Sequence, residues 1–169
     1  MSTNIGTPPA RRGGVPARPA RGSGAGRTGE ILAYILKIHK HASAYFLVKL
    51  LYLLDYFHGQ EFGYALTDLD YRQYSFGPFD ERIFRILQAL VAENLIRSHV
   101  NYAASGREYV TYAFNDKHLC EDMEFKNAHM RNIAIGEFLF MRNYLHELLN
   151  YTEKDYARMV ERILKRTSK

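Results

Sequence analysis

From Glu30 onward the apolar positions recur every three to four residues, and Ile31, Leu32, Ile35 and Ile38 share one face of a predicted first helix. Residues 40–42 interrupt the pattern. Ser43 carries an N-capping side chain, and Phe46, Leu47, Leu50, Leu51 and Leu54 continue the period to about Phe57, where Gly59 is the expected stop. Glycines and a proline then surround a short aromatic stretch, residues 71–76, whose alternation allows a strand. After Pro78, Asp80 can cap a third helix striped by Ile83, Phe84, Leu87, Leu90 and Val91, with Asn94 suited to its C-terminal end.

Residues 95–102 and 108–114 are rich in β-branched and aromatic side chains, and the intervening Ala103-Ala104-Ser105-Gly106-Arg107 supplies a turn, so this segment predicts a β-hairpin. Three helices followed by a hairpin is the chain order of a winged helix, with the hairpin as wing. Further on, Ile135, Phe138, Leu139, Leu145 and Leu148 predict one long helix over residues 127–149, weakened at Gly136. Thr152 with Asp155 resembles a capping box for a last helix striped by Tyr156, Met159, Val160, Ile163 and Leu164. The expected fold is mainly α with a small β-hairpin: a winged-helix-like core of helices 1–3 plus wing over 30–115, then two C-terminal helices over 116–169. Residues 29–169 form a single globular domain in this reading.

The segment before that domain differs in composition. Four of the five prolines and seven of the twelve glycines fall before Glu30, where apolar side chains are few, which predicts a disordered tail over 1–28. Five arginines and no acid lie in residues 1–29, whereas residues 30–169 carry 18 basic and 18 acidic side chains, so the net charge of +5 belongs to the tail. The longest apolar run, residues 44–57, is 14 long and is interrupted by Lys49 and Asp55, which predicts a buried helix and no membrane span. The arginines of the tail precede no apolar signal segment, and a single cysteine forms no intramolecular disulfide; both fit a cytoplasmic protein.

Candidate chemistry is sparse. His39 and His41 sit two apart without an acidic or cysteine partner at ligand spacing, His118 near Cys120 reads as packing or surface, and Phe76-Gly77-Pro78 lacks the residues of a phosphate loop. No catalytic residue, metal site or cofactor is expected. A winged helix would direct Arg82, Arg85 and Gln88 of its third helix and Arg97 and Arg107 of its wing at nucleic acid, but Asp80, Glu81 and Glu93 nearly cancel that charge. Lys49 and Asp55 within so apolar a helix either reach its edge with their polar ends or mark an internal pairing.

The stretch Lys49-Leu50-Leu51-Tyr52-Leu53-Leu54-Asp55-Tyr56-Phe57-His58, followed about twenty residues later by Tyr74-Ser75-Phe76-Gly77-Pro78-Phe79, resembles the Panacea domain of SocA-like antitoxins. That family shows a Lys-Leu-x-Tyr helix and then an aromatic-Gly-Pro turn opening the next helix. The resemblance covers residues 30–115, leaving out the tail and the helices after Asn115. It carries over Lys49, Leu50, Tyr52, Phe76, Gly77 and Pro78 as motif residues, to which Asp55 is added as a candidate partner-binding position. The aromatic ahead of Gly-Pro is expected to pack on the preceding helix. The resemblance implies a protein-binding antitoxin with a cognate toxin as partner, and a protease where a member serves as a proteolytic adaptor. A DNA-binding regulator is the alternative class, and a component of a phage or mobile-element assembly is a third.

Overall fold

The computed structural model describes residues 25–39, 41–118, 120–148 and 151–167. Of the tail expected over residues 1–28, residues 1–24 lie outside them, while residues 26–28 belong to the first helix. The described residues divide into two compact units, one of residues 25–47 with 82–133, the other of residues 48–81 with 134–167.

The first unit contains α1 (Gly26–His39), β1 (His41–Ser43), the first turn of α2 (Ala44–Phe62), α3 (Arg82–Ala92), β4 (Ile96–Tyr102), β5 (Glu108–Phe114), a 3-10 turn at Asp116–His118 and α4 (Asp122–His129). Helix α1 starts four residues before Glu30. Its Thr28 and Gly29 are buried, and Arg27 Nη1 donates to the Asn132 carbonyl at 2.7 Å. A Cβ at Gly29 would overlap that of Ala25, while Ile86 of α3 stands 3.4 Å away at ordinary contact distance, so this glycine lets residue 25 fold back over the start of α1. We expect Gly29→Ala to destabilise the protein by about 1–3 kcal/mol through overpacking, read as a lowered thermal midpoint.

The predicted β-hairpin forms as expected: β4 and β5 pair antiparallel from Ile96↔Phe114 to Tyr102↔Glu108. Residues 41 and 42, expected to lie in a simple break over 40–42, instead belong to β1, which pairs with β5 at His41↔Ala113 to give the order β1-β5-β4. Ser43 Oγ accepts the Phe46 N–H at 3.2 Å and caps α2. Asn94 takes a left-handed φ of 63°, with Leu95 N–H donating to Leu90 O at 3.1 Å and Asn94 N–H to Val91 O at 2.9 Å, a Schellman ending for α3. Ile83, Leu87 and Leu90 are buried, but Phe84, expected on the same stripe, is exposed beside Tyr45.

The single helix expected over residues 127–149 is two helices, so three rather than two follow the β4–β5 hairpin among the described residues. α4 stops at His129, residues 130–134 turn, and α5 (Ile135–Leu148) begins anew. The chain breaks because carboxylates satisfy its freed amides. Glu30 Oε1 accepts the Arg131 N–H at 3.0 Å, and Glu137 Oε1 accepts the Ala134 N–H at 3.0 Å as a local cap. Burial raises the Glu30 pKa, against the opposing pull of its bonds to Asn132 and Arg131. Helix α4 is tied to α1 by Lys37 Nζ and the Tyr34 hydroxyl, which donate to Asp122 at 2.8 and 3.2 Å.

The second unit contains the rest of α2, a small hairpin of β2 (Arg72–Tyr74) and β3 (Gly77–Phe79), α5 and α6 (Glu153–Thr167). Gly59 does not stop α2; glycine adopts helical φ at a modest cost, and the helix ends where a left-handed residue is supplied, at Gly63 with φ 82°. The Thr152 capping arrangement forms: Asp155 Oδ2 accepts from Thr152 N–H and Oγ–H at 2.8 and 2.9 Å, and Thr152 Oγ accepts the Asp155 N–H at 3.3 Å. Those bonds lower the Asp155 pKa. Tyr156, Val160 and Ile163 of α6, which belongs to this unit, are buried.

Candidate functional site

The most apolar helix of the chain buries two polar side chains. α2 runs through Leu50, Leu51, Tyr52, Leu53 and Leu54, all fully buried, and then Asp55 and His58, both 0% exposed. A buried carboxylate without hydrogen bonds would cost several kcal/mol, so its partners decide its role.

Those partners come from the segment that follows α2. Past Gly63 the chain turns back along the helix it has left and is tied to it at intervals. His58 Nδ1–H donates to the Tyr64 carbonyl at 2.8 Å. Thr67 N–H and the Thr67 hydroxyl donate to the two Asp55 oxygens at 2.7 and 2.5 Å, and the Tyr71 hydroxyl adds a third bond at 2.7 Å. The Tyr71 ring meets that of Tyr52 edge-on, 5.0 Å between centroids. Positions 64, 67 and 71 thus pair in order with 58, 55 and 52, an antiparallel return of an irregular segment along a helix. Burial raises the Asp55 pKa while the bonds from Thr67 and Tyr71 oppose that shift; burial and then the Asp55 charge raise the Tyr71 pKa.

Glu137 of α5 completes a second polar group. Its Oε2 accepts from the Tyr64 hydroxyl at 2.9 Å and lies 3.8 Å from His58 Nε2. Around His58 stand Phe62, stacked at 4.4 Å, and Tyr64 and Phe140, edge-on at 5.1 and 5.4 Å. Both polar groups are buried, with Glu137 at 4% exposure. Asp55 and His58 serve to hold the returning segment and, through it, the hairpin.

That hairpin carries the Gly-Pro motif. Tyr74 pairs with Gly77 across a two-residue loop, Ser75-Phe76, which Gly77 accommodates with φ 109°. Asp80 Oδ2 accepts the Asp70 N–H at 2.8 Å and closes its base. Gly77 and Pro78 therefore lie in a strand, not at a helix entrance as expected, and α3 starts only at Arg82. Phe76 is 47% exposed and stacks on Tyr74 at 5.3 Å, whereas Phe79 is the buried ring of the hairpin. Lys49 is half-buried and, among the described residues, has no carboxylate partner; the internal carboxylate is held by Thr67 and Tyr71 instead.

The seven motif positions, Lys49, Leu50, Tyr52, Asp55, Phe76, Gly77 and Pro78, fall in one unit with this returning segment. A family model described as antitoxin SocA-like, Panacea domain, matches residues 47–168. The chain belongs to this family. The match corrects the expected extent of the resemblance: it omits α1 and takes in α4, α5 and α6, so the C-terminal helices are part of the Panacea domain. No curated protein and no solved structure matches the chain.

Arg82, Arg85, Gln88, Arg97 and Arg107, weighed for nucleic acid, fall in the other unit; Arg82 is half-buried and the rest are exposed. Thr67, Tyr71, His58 and Glu137 were not singled out from the sequence. The available signal was polar Asp55 and His58 one turn apart inside an apolar helix, which demands buried partners without naming them. Among the described residues no three His, Cys, Asp or Glu side chains group as metal ligands, and no helix is long and apolar enough to cross a membrane. Cys120 is half-buried, and burial raises its thiol pKa, which disfavours the reactive thiolate.

Proposed function

We propose that this protein is an antitoxin that neutralises a toxin protein by direct binding, acting through a docking surface and not a reaction centre. The observation that carries the reading is family membership across residues 47–168. The motif separates into two roles. Leu50, Tyr52 and Asp55 are buried and build the unit; Phe76 and Lys49 offer an exposed ring and a long cation of the kinds that anchor interfaces. Co-expression with the toxin encoded beside its gene should restore growth. In the purified pair, Phe76→Ala should weaken the complex about thirtyfold, the effect of a hot spot near 2 kcal/mol, with the fold intact by circular dichroism. Failure of the unmutated chain to rescue growth or to bind that toxin refutes the reading.

A second reading is a winged-helix DNA-binding regulator, motivated by the order α1-β1-α2-β2-β3-α3-β4-β5, in which a small hairpin separates α2 from α3, and by the sheet order β1-β5-β4. It assigns contacts to Arg82, Arg85, Gln88, Arg97 and Arg107. Arg85→Gln with Arg107→Gln should then abolish retention on DNA carrying the chain's own promoter, and undiminished retention rejects it.

A further inference from the structure

Helix α6 has a second face that the antitoxin reading leaves unused. At about 100° per residue, Lys154, Arg158, Arg162, Lys165 and Arg166 fall within an arc of about 120°, opposite the buried Tyr156, Val160 and Ile163. All five cations are exposed. Of the acids near them, Asp155 is engaged in the N-terminal cap and Glu161 lies 3.8 Å from Lys165. From Lys154 to Arg166 the row rises about 18 Å, a length over which one strand of a duplex presents about five phosphates.

We propose that the exposed face of α6 binds the phosphate backbone of double-stranded nucleic acid without reading its sequence. The chemistry of the face selects this partner from other polyanions. A protein interface needs a desolvated apolar centre, and among the described side chains of α6 no large apolar group is exposed. An anionic membrane takes up a basic amphipathic helix by burying its apolar face, and here that face is already buried within the protein. Single-stranded nucleic acid needs exposed rings for stacking, and the described α6 side chains offer none. Duplex phosphates require only a row of cations, and Arg and Lys supply it. This surface differs from the α3 and wing positions of the regulator reading.

The test is fluorescence anisotropy of a 20-base-pair duplex of random sequence, titrated with the full chain over a range of salt concentrations. The unmutated protein should bind in the micromolar range at low salt, with log affinity falling linearly as log salt rises. The full-length variant Lys154→Gln, Arg158→Gln, Arg162→Gln, Arg166→Gln changes only exposed side chains. It should lose at least tenfold in affinity and about 3 to 4 in salt slope, roughly 0.9 per lost phosphate contact. Two comparators separate other cation sets: Arg82, Arg85, Arg97 and Arg107 to Gln, and Arg11, Arg12, Arg18 and Arg21 to Gln. Each should retain the share of the slope that the α6 variant loses. An α6 variant with unchanged slope and affinity overturns the proposal. So does equal binding of the unmutated chain to polyglutamate, which would assign the face to an acidic protein.

Discussion

Replacing Asp55 with leucine should lower the unfolding free energy by about 3–5 kcal/mol, the scale for removing one partner from a buried charged network. The leucine leaves the Thr67 N–H, the Thr67 hydroxyl and the Tyr71 hydroxyl without the acceptor that each now has. Such a loss takes a large share of an ordinary domain's stability, so a milder variant accompanies it. Tyr71→Phe removes one bond and keeps the ring against Tyr52; about 1–2 kcal/mol is expected in urea unfolding followed by circular dichroism. If both variants unfold at the same urea concentration as the unmutated chain, the carboxylate does not hold the segment.

The same carboxylate makes a signed prediction for pH. Its folded pKa is raised by burial, so between the unfolded and the folded pKa the native state binds more protons than the unfolded chain. The favourable contribution of its protonated form is therefore complete below the unfolded pKa and is lost as pH rises through the folded one. Asp55→Asn removes this titration and should flatten the stability profile across that window. Glu30, whose pKa is also raised, remains in both proteins and cancels in the comparison.

The next largest effect is expected at Glu137. Glu137→Ala removes the cap of α5 at Ala134 and the acceptor of the Tyr64 hydroxyl together, for an expected loss of about 2–3 kcal/mol. Hydrogen exchange should quicken both at the start of α5 and across residues 63–71, because one carboxylate serves both. Glu137→Gln retains a carbonyl for the cap and should cost about half as much. Faster exchange at α5 alone would show that the tie between α5 and the returning segment carries no stability.

The motif that identifies the family was legible, but the work done by its residues was not. Lys49, Leu50 and Tyr52 and the Phe76-Gly77-Pro78 corner stand out as a spaced pair of short patterns. That Asp55 is a buried anchor follows only from Thr67 and Tyr71, and their arrival depends on the reversal after Gly63. Reading Gly-Pro as a helix entrance erred for a related reason. Proline at the start of a helix and proline in a short edge strand share the same φ, and only pairing with Arg72 to Tyr74 tells them apart.

What the sequence determined by itself is everything closed within a few residues: the Ser43 cap, the Thr152–Asp155 box, the left-handed ending at Asn94 and the β4–β5 hairpin with its Gly106 turn. These features need only neighbours along the chain, so propensity and spacing suffice to specify them. Tertiary structure alone decided the rest. β1 exists because β5 lies beside it. The helix expected over residues 127–149 divides where Glu30, 101 residues earlier, accepts the Arg131 amide. A backbone hydrogen-bonding group takes whichever partner folding brings to it, and no local pattern encodes a partner so far along the chain.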